Sequence, residues 1–117
     1  MVYYVVGMKL PNGEVALVST KKIKNYLLSI EHPVGKLKAK FFNTTGFSQK
    51  DAKKLEQLLL KIAAENELTE ITSSEYGKKY IIEGTIKSSK GKSVRIQTIW
   101  IVETGKTRPR FITAYPV

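Results

Sequence analysis

No cysteine occurs among the 117 residues, and histidine occurs once, at position 32. Disulfides and thiolate metal sites are therefore excluded, which suits a reducing compartment. With one imidazole and no thiol, a zinc site would have to be built from carboxylates, and the ten acidic residues show no ligand spacing. No metal and no cofactor are expected. No glycine-rich loop follows an expected strand and opens a helix, so P-loop and dinucleotide sites have no support either. No apolar run approaches the roughly 18 residues of a membrane span, and the N-terminus lacks the basic-then-apolar order of a secretory leader. A cytoplasmic protein without membrane association is the expectation, and the length fits one domain over residues 1–117.

Scarcity of acid leaves a formal net charge of +10, from 20 Lys and Arg against 10 Asp and Glu. The surplus sits at the two ends of the chain. Residues 1–41 carry seven basic side chains against Glu14 and Glu31, and residues 85–117 carry seven against Glu103 alone, while 42–84 is close to neutral. If the two ends meet in space they form a positive face suited to phosphate-bearing partners. The plainer alternative is that the lysines keep a small protein soluble, and only three of the cations are arginine.

Apolar periodicity divides the chain into helices first and strands last. Val2 to Val6 reads as a strand, Pro11-Asn12-Gly13 as a turn and Val15 to Val18 as a second strand, together a hairpin. Ser19 and Thr20 open a short helix with Ile23, Leu27 and Ile30 turned inward. A second helix follows the break at His32-Pro33 and closes near Gly46. Ser48, with Asp51 three residues on, starts the longest helix, where Ala52, Leu55, Leu58, Leu59, Ile62 and Ala63 recur at helical spacing. An antiparallel meander follows over 70–75, 78–86, 93–103 and 110–115. Ile99 to Val102 is continuously apolar, the mark of a central strand covered on both faces. The expected class is α+β, an N-terminal hairpin and three helices packed on a C-terminal antiparallel meander.

The second helix carries an anomaly. At about 100° per residue, Val34, Leu37, Phe41 and Phe42 fill one apolar arc, and Lys38 falls inside it, with Lys36 and Lys40 outside. Burying an unpaired ammonium is costly. Lys38 is thus either a snorkelling side chain or a charge held for a purpose.

The blocks His32 to Phe42 (HPVGKLKAKFF), Gly46-Phe47, Tyr76 to Tyr80 (YGKKY), Gly84, Thr98-Ile99-Trp100 and Pro109 to Pro116 (PRFITAYP) resemble an uncharacterised bacterial domain family. That family occurs alone and in the toxin-bearing proteins of inter-bacterial conflict systems. The order of helices before a meander is similar to the layout of the metal-independent RNase fold shared by barnase, EndoU and RelE-type toxins. The resemblance implies an RNase-like toxin domain with RNA as substrate and an acidic immunity-type or antitoxin protein as partner.

Metal-independent RNA cleavage needs a group to take the 2′-hydroxyl proton, one to protonate the leaving oxygen, and cations to stabilise the phosphorane. His32 is the one side chain whose ordinary pKa lies near neutrality, which suits proton transfer, although a capping role before Pro33 explains it equally. Lys38 suits phosphate stabilisation, or proton transfer if desolvated. Arg110 can grip a phosphate bidentately, and Thr113 and Tyr115 supply hydroxyls, yet strict strand alternation sets both on the face opposite Arg110. Thr98 is a further hydroxyl, beside Trp100, where β packing also accounts for it. The rival reading is a non-catalytic accessory domain that binds RNA or an acidic protein through the same basic face.

Overall fold

The structure, a computed structural model, describes residues 2–28 and 36–117. Among them five strands form one antiparallel sheet in the order β1-β2-β3-β4-β5. β1 is Val2–Tyr4, β2 Glu70–Ser74, β3 Gly77–Lys87, β4 Ser93–Glu103 and β5 Arg110–Pro116. Each of the last three connections is a hairpin, so the C-terminal half is the expected meander, and β3 and β4 pair along their whole length from Gly77↔Glu103 to Lys87↔Ser93. β4 is an interior strand. Trp100 and Ile101, which alternate between the two faces, are both buried.

Three helices complete the α+β architecture. α1 (Thr20–Lys22) runs directly into a π-helical turn over Ile23–Leu27, α2 spans Lys36–Thr45, and α3 spans Ala52–Glu65 after a 3₁₀ turn at Gln49–Asp51. Ser19 caps α1, its Oγ accepting from the Lys22 N–H at 3.2 Å. At the start of α3 the Asp51 carboxylate accepts from both the N–H and the hydroxyl of Ser48, at 2.9 and 3.1 Å, which realises the expected capping box. These bonds, with Lys50 and Lys54 nearby, hold the Asp51 carboxyl below the usual carboxylate range.

The core lies between α3 and one face of the sheet. Leu55, Leu59 and Ala63 of α3 are fully buried against Ile82, Ile86, Ile96 and Trp100. Gly84 explains how closely the layers approach: a Cβ there would meet Ile62 Cδ1 at 2.7 Å, so any side chain would push helix from sheet. Thr98, wholly buried, donates to the Ile82 carbonyl at 2.8 Å and accepts from Trp100 Nε1 at 2.9 Å. Both polar groups in this part of the core are thereby satisfied, and Thr98 serves packing.

Two expectations fail on the N-terminal half. Pro11-Asn12-Gly13 does turn the chain, with Gly13 N–H bonded to the Leu10 carbonyl at 3.0 Å and Asn12 left-handed at φ 57°. No hairpin results. Gly13–Val15 forms a 3₁₀ turn, and Gly13 sits so tightly on α3 that a Cβ would lie 2.2 Å from the Ala63 carbonyl oxygen. β1 pairs instead with β2, in the register Val2↔Thr72, and Leu17 makes a parallel bridge to Arg110. The apolar arc assigned to the second helix is also rotated. Ala39 and Phe42 are fully buried while Leu37 is 72% exposed, because the inward stripe runs through Ala39 and Phe42 with Lys38 and Phe41 at its margins. Ile30, His32 and Val34 lie outside the described residues.

Candidate functional site

Lys38, on the first turns of α2, is half-buried and its ammonium is fully engaged on one side. Nζ donates to Thr113 Oγ1 at 3.0 Å and to Tyr26 Oη at 3.1 Å. It also lies 5.4 Å from the Tyr26 ring centroid and 5.8 Å from that of Tyr115, within cation–π range of both. The tyrosine comes from the π-helical turn, whose wider coil carries a Leu28 N–H to Ile23 carbonyl bond of 2.8 Å and interrupts the helix just where Tyr26 is presented. Two aromatic faces and two hydroxyl oxygens thus replace the water that a surface lysine would keep, and the third ammonium proton has no hydrogen bond among the described residues. Of the two readings of Lys38, a held charge fits this cradle better than a stem that merely crosses apolar surface.

β5 supplies the other wall, and a β-bulge sets its geometry. Opposite β4 the register runs Ile101↔Arg110 and Trp100↔Phe111, then shifts so that Ile99↔Thr113 and Gln97↔Tyr115, leaving Ile112 as the extra residue. Ile101, Ile99 and Gln97 share one face of β4. The bulge therefore returns Thr113 and Tyr115 to the face of Arg110, and the separation expected from strict alternation does not occur. Gln97 Nε2 donates to Tyr115 Oη at 2.7 Å, which fixes the phenol and leaves its O–H free to donate.

Arg110 Nε donates to Glu103 Oε1 at 2.9 Å, and Lys106 Nζ lies 3.8 Å from the same oxygen. The Arg110 bond and the Lys106 charge hold the Glu103 carboxyl below its ordinary range. Lys22 joins this cationic region from α1. Burial, followed by the charges of Arg110 and Lys38, pulls the Lys22 ammonium below the usual lysine pKa, with Tyr26 opposing.

The two basic ends of the chain therefore do meet: Leu17 bridges to Arg110, and the Lys22 ammonium feels the charges of Arg110 and Lys38. Lys38, Thr113 and Tyr115 converge with Arg110 on one side of β5, and His32, four positions before α2, lies outside the described residues. Tyr26, Lys22 and Gln97 were not foreseen. Lys22 and Tyr26 stand four apart at the expected helix start, a helical spacing that points both to one side. Gln97 carried a weaker signal, as a polar residue on the open face of a central strand.

Helices segregated to one side of a five-stranded meander, with a lysine cradled at the edge strand, define a small α+β domain class. Residues 9–117 match the family described as Domain of unknown function (DUF6883), and the chain belongs to that family. Among solved structures, the fold is similar to a chain of the contact-dependent growth inhibition toxin–immunity protein complex from Klebsiella pneumoniae 342. The TM-score is 0.67 at 17% identity, over 87% of this chain and all of that one. No curated protein matches the sequence significantly. No helix among the described residues is long and apolar enough to cross a membrane.

Proposed function

We propose that this chain is a metal-independent RNase-like toxin domain whose catalytic centre is the Lys38 cluster. The observation that carries the reading is the ammonium of Lys38 held by the hydroxyls of Tyr26 and Thr113, with Tyr115 alongside. A surface lysine gains little from such a cradle, whereas a transition state that gathers charge on phosphate oxygens is stabilised most by a cation fixed beforehand. The net charge of +10 and the similarity to a chain of a toxin–immunity complex support the same reading.

In this mechanism the 2′-oxygen forms a bond to the adjacent phosphorus while the bond from phosphorus to the 5′-oxygen breaks. Lys38 faces the charged phosphorane oxygens, and Arg110 steadies the strand alongside. Tyr115, whose O–H is left free by the Gln97 bond, protonates the departing 5′-oxygen. His32 takes the 2′-hydroxyl proton, the role that imidazole chemistry suits. The products are a 2′,3′-cyclic phosphate and a 5′-hydroxyl. An acidic immunity-type protein would cover the same basic face, by charge complementarity.

The test is product analysis on a mixed RNA pool incubated with the protein in chelator. The expected result is fragments ending in 2′,3′-cyclic phosphate, with an all-2′-deoxy strand left intact. RNA that survives, or 5′-phosphate ends that need a divalent ion, would favour the accessory-domain reading, in which the face only binds RNA or an acidic protein.

A further inference from the structure

Beside the Lys38 cluster lies a groove of about 300 Å³ lined by Leu17, Val18, Ser19, Lys22, Arg110 and Phe111. Its walls are fixed. The Leu17 N–H bonds to the Pro109 carbonyl at 2.9 Å, and the Phe111 N–H bonds back to the Leu17 carbonyl at 2.8 Å, so the segment before α1 is stitched to the start of β5. Three donors face the opening by their place in this lining. Ser19 Oγ already accepts from the Lys22 N–H, so its O–H is left to donate. Arg110 uses Nε on Glu103, which leaves the two Nη groups without a hydrogen bond among the described residues. The Lys22 ammonium has no ion pair or hydrogen bond among the described residues.

We propose that this groove is a phosphate subsite, in which Lys22, Arg110 and Ser19 hold the backbone phosphodiester of a nucleic-acid strand next to the phosphate that faces Lys38. Two cations set against an apolar floor of Leu17, Val18 and Phe111, without an acid on Lys22, are disfavoured by burial and mutual repulsion until an anion arrives. The depressed pKa of Lys22 has that origin. Glu103 is the one carboxylate paired with Arg110 among the described residues, and its charge is shared between Arg110 and Lys106, so the region keeps a positive balance. A phosphodiester fits better than a carboxylate because the open edge of a planar guanidinium accepts two phosphate oxygens and the lysine a third contact. The subsite rests on the nuclease reading for the identity of the strand.

The experiment is anisotropy titration of a fluorescein-labelled thymidine octanucleotide, which has no 2′-hydroxyl to react, between about 50 and 200 mM salt. Wild-type protein, Lys22→Gln and Arg110→Gln are compared with Lys61→Gln, a matched charge loss on the exposed side of α3. Lys22→Gln is expected to weaken binding by roughly three- to tenfold at low salt and to lower the salt slope by about 1, and Arg110→Gln to do the same. Thermal unfolding of Lys22→Gln should match wild type, since its side chain makes no bond that folding would lose. Equal affinity and slope for Lys22→Gln and Lys61→Gln would overturn the subsite, as would poly-glutamate competing as well as the octanucleotide through the same two residues. RNA left intact alongside Lys22-dependent binding would refute the nuclease reading and uphold the subsite. RNA cleavage with binding indifferent to Lys22 would overturn the subsite alone.

Discussion

Lys38 and Thr98 show how differently two polar groups on inward-facing elements are used. Thr98 is closed: it donates to one backbone carbonyl, accepts from one indole, and is sealed from water. Replacing it with Val leaves Trp100 Nε1 unpaired in the core, at an expected cost of about 1–3 kcal/mol in urea unfolding. Activity per folded molecule should stay unchanged, and a Thr98→Val protein as stable as wild type would show that water enters this part of the core. Lys38 is open, with a third proton and an ion's reach. The sequence made Lys38 conspicuous because it falls inside the arc of Val34, Leu37, Phe41 and Phe42. It did not reveal Tyr26 or Gln97, since partners contributed by other elements depend on tertiary placement rather than on spacing.

On the scale of elements, the bulge at Ile112 decides whether β5 can contribute to one site. Deleting Ile112 removes the extra residue, and Arg110, Thr113 and Tyr115 then stay on one face by strict alternation alone. Cleavage is expected to stay within about threefold of wild type, with the sheet read by circular dichroism alongside the rate, because the common face is kept. A loss of more than about tenfold from a folded protein would mean that the bulge itself, and not only the common face, shapes the site. The capping box at α3 gives a second expectation. Because the folded Asp51 carboxyl titrates below its unfolded value, its contribution is present above the unfolded pKa near 3.9 and is lost as pH falls through the folded value. Asp51→Asn should therefore unfold at lower temperature than wild type at neutral pH, with the gap closing under acid; a gap that persists at the lowest pH would assign the effect to shape. The strands, the caps and α3 were readable because period and turn chemistry are local. The hairpin was misread because Pro11-Asn12-Gly13 fits a 3₁₀ turn docked on Ala63 as well as it fits a strand reversal. The bulge was not legible, since one inserted residue in an apolar-polar run changes no local preference.

At the level of the whole molecule, the charge balance was legible in full and its geometry only in part. The ends of the chain that carry the surplus meet at the start of β5, through the Leu17 to Arg110 bridge and the influence of Arg110 and Lys38 on Lys22. A face of this kind binds polyanions with a steep dependence on salt. The account claims more than binding, and the claim stands on one ammonium. The direct measurement is single-turnover cleavage of a defined RNA, in chelator, by wild type and Lys38→Met, a change that keeps most of the apolar stem and removes the charge. The account expects cleavage by wild type and a rate lower by roughly 100-fold or more in the variant, with RNA affinity changed far less. Equal rates for the two proteins, or no cleavage by wild type, would contradict it.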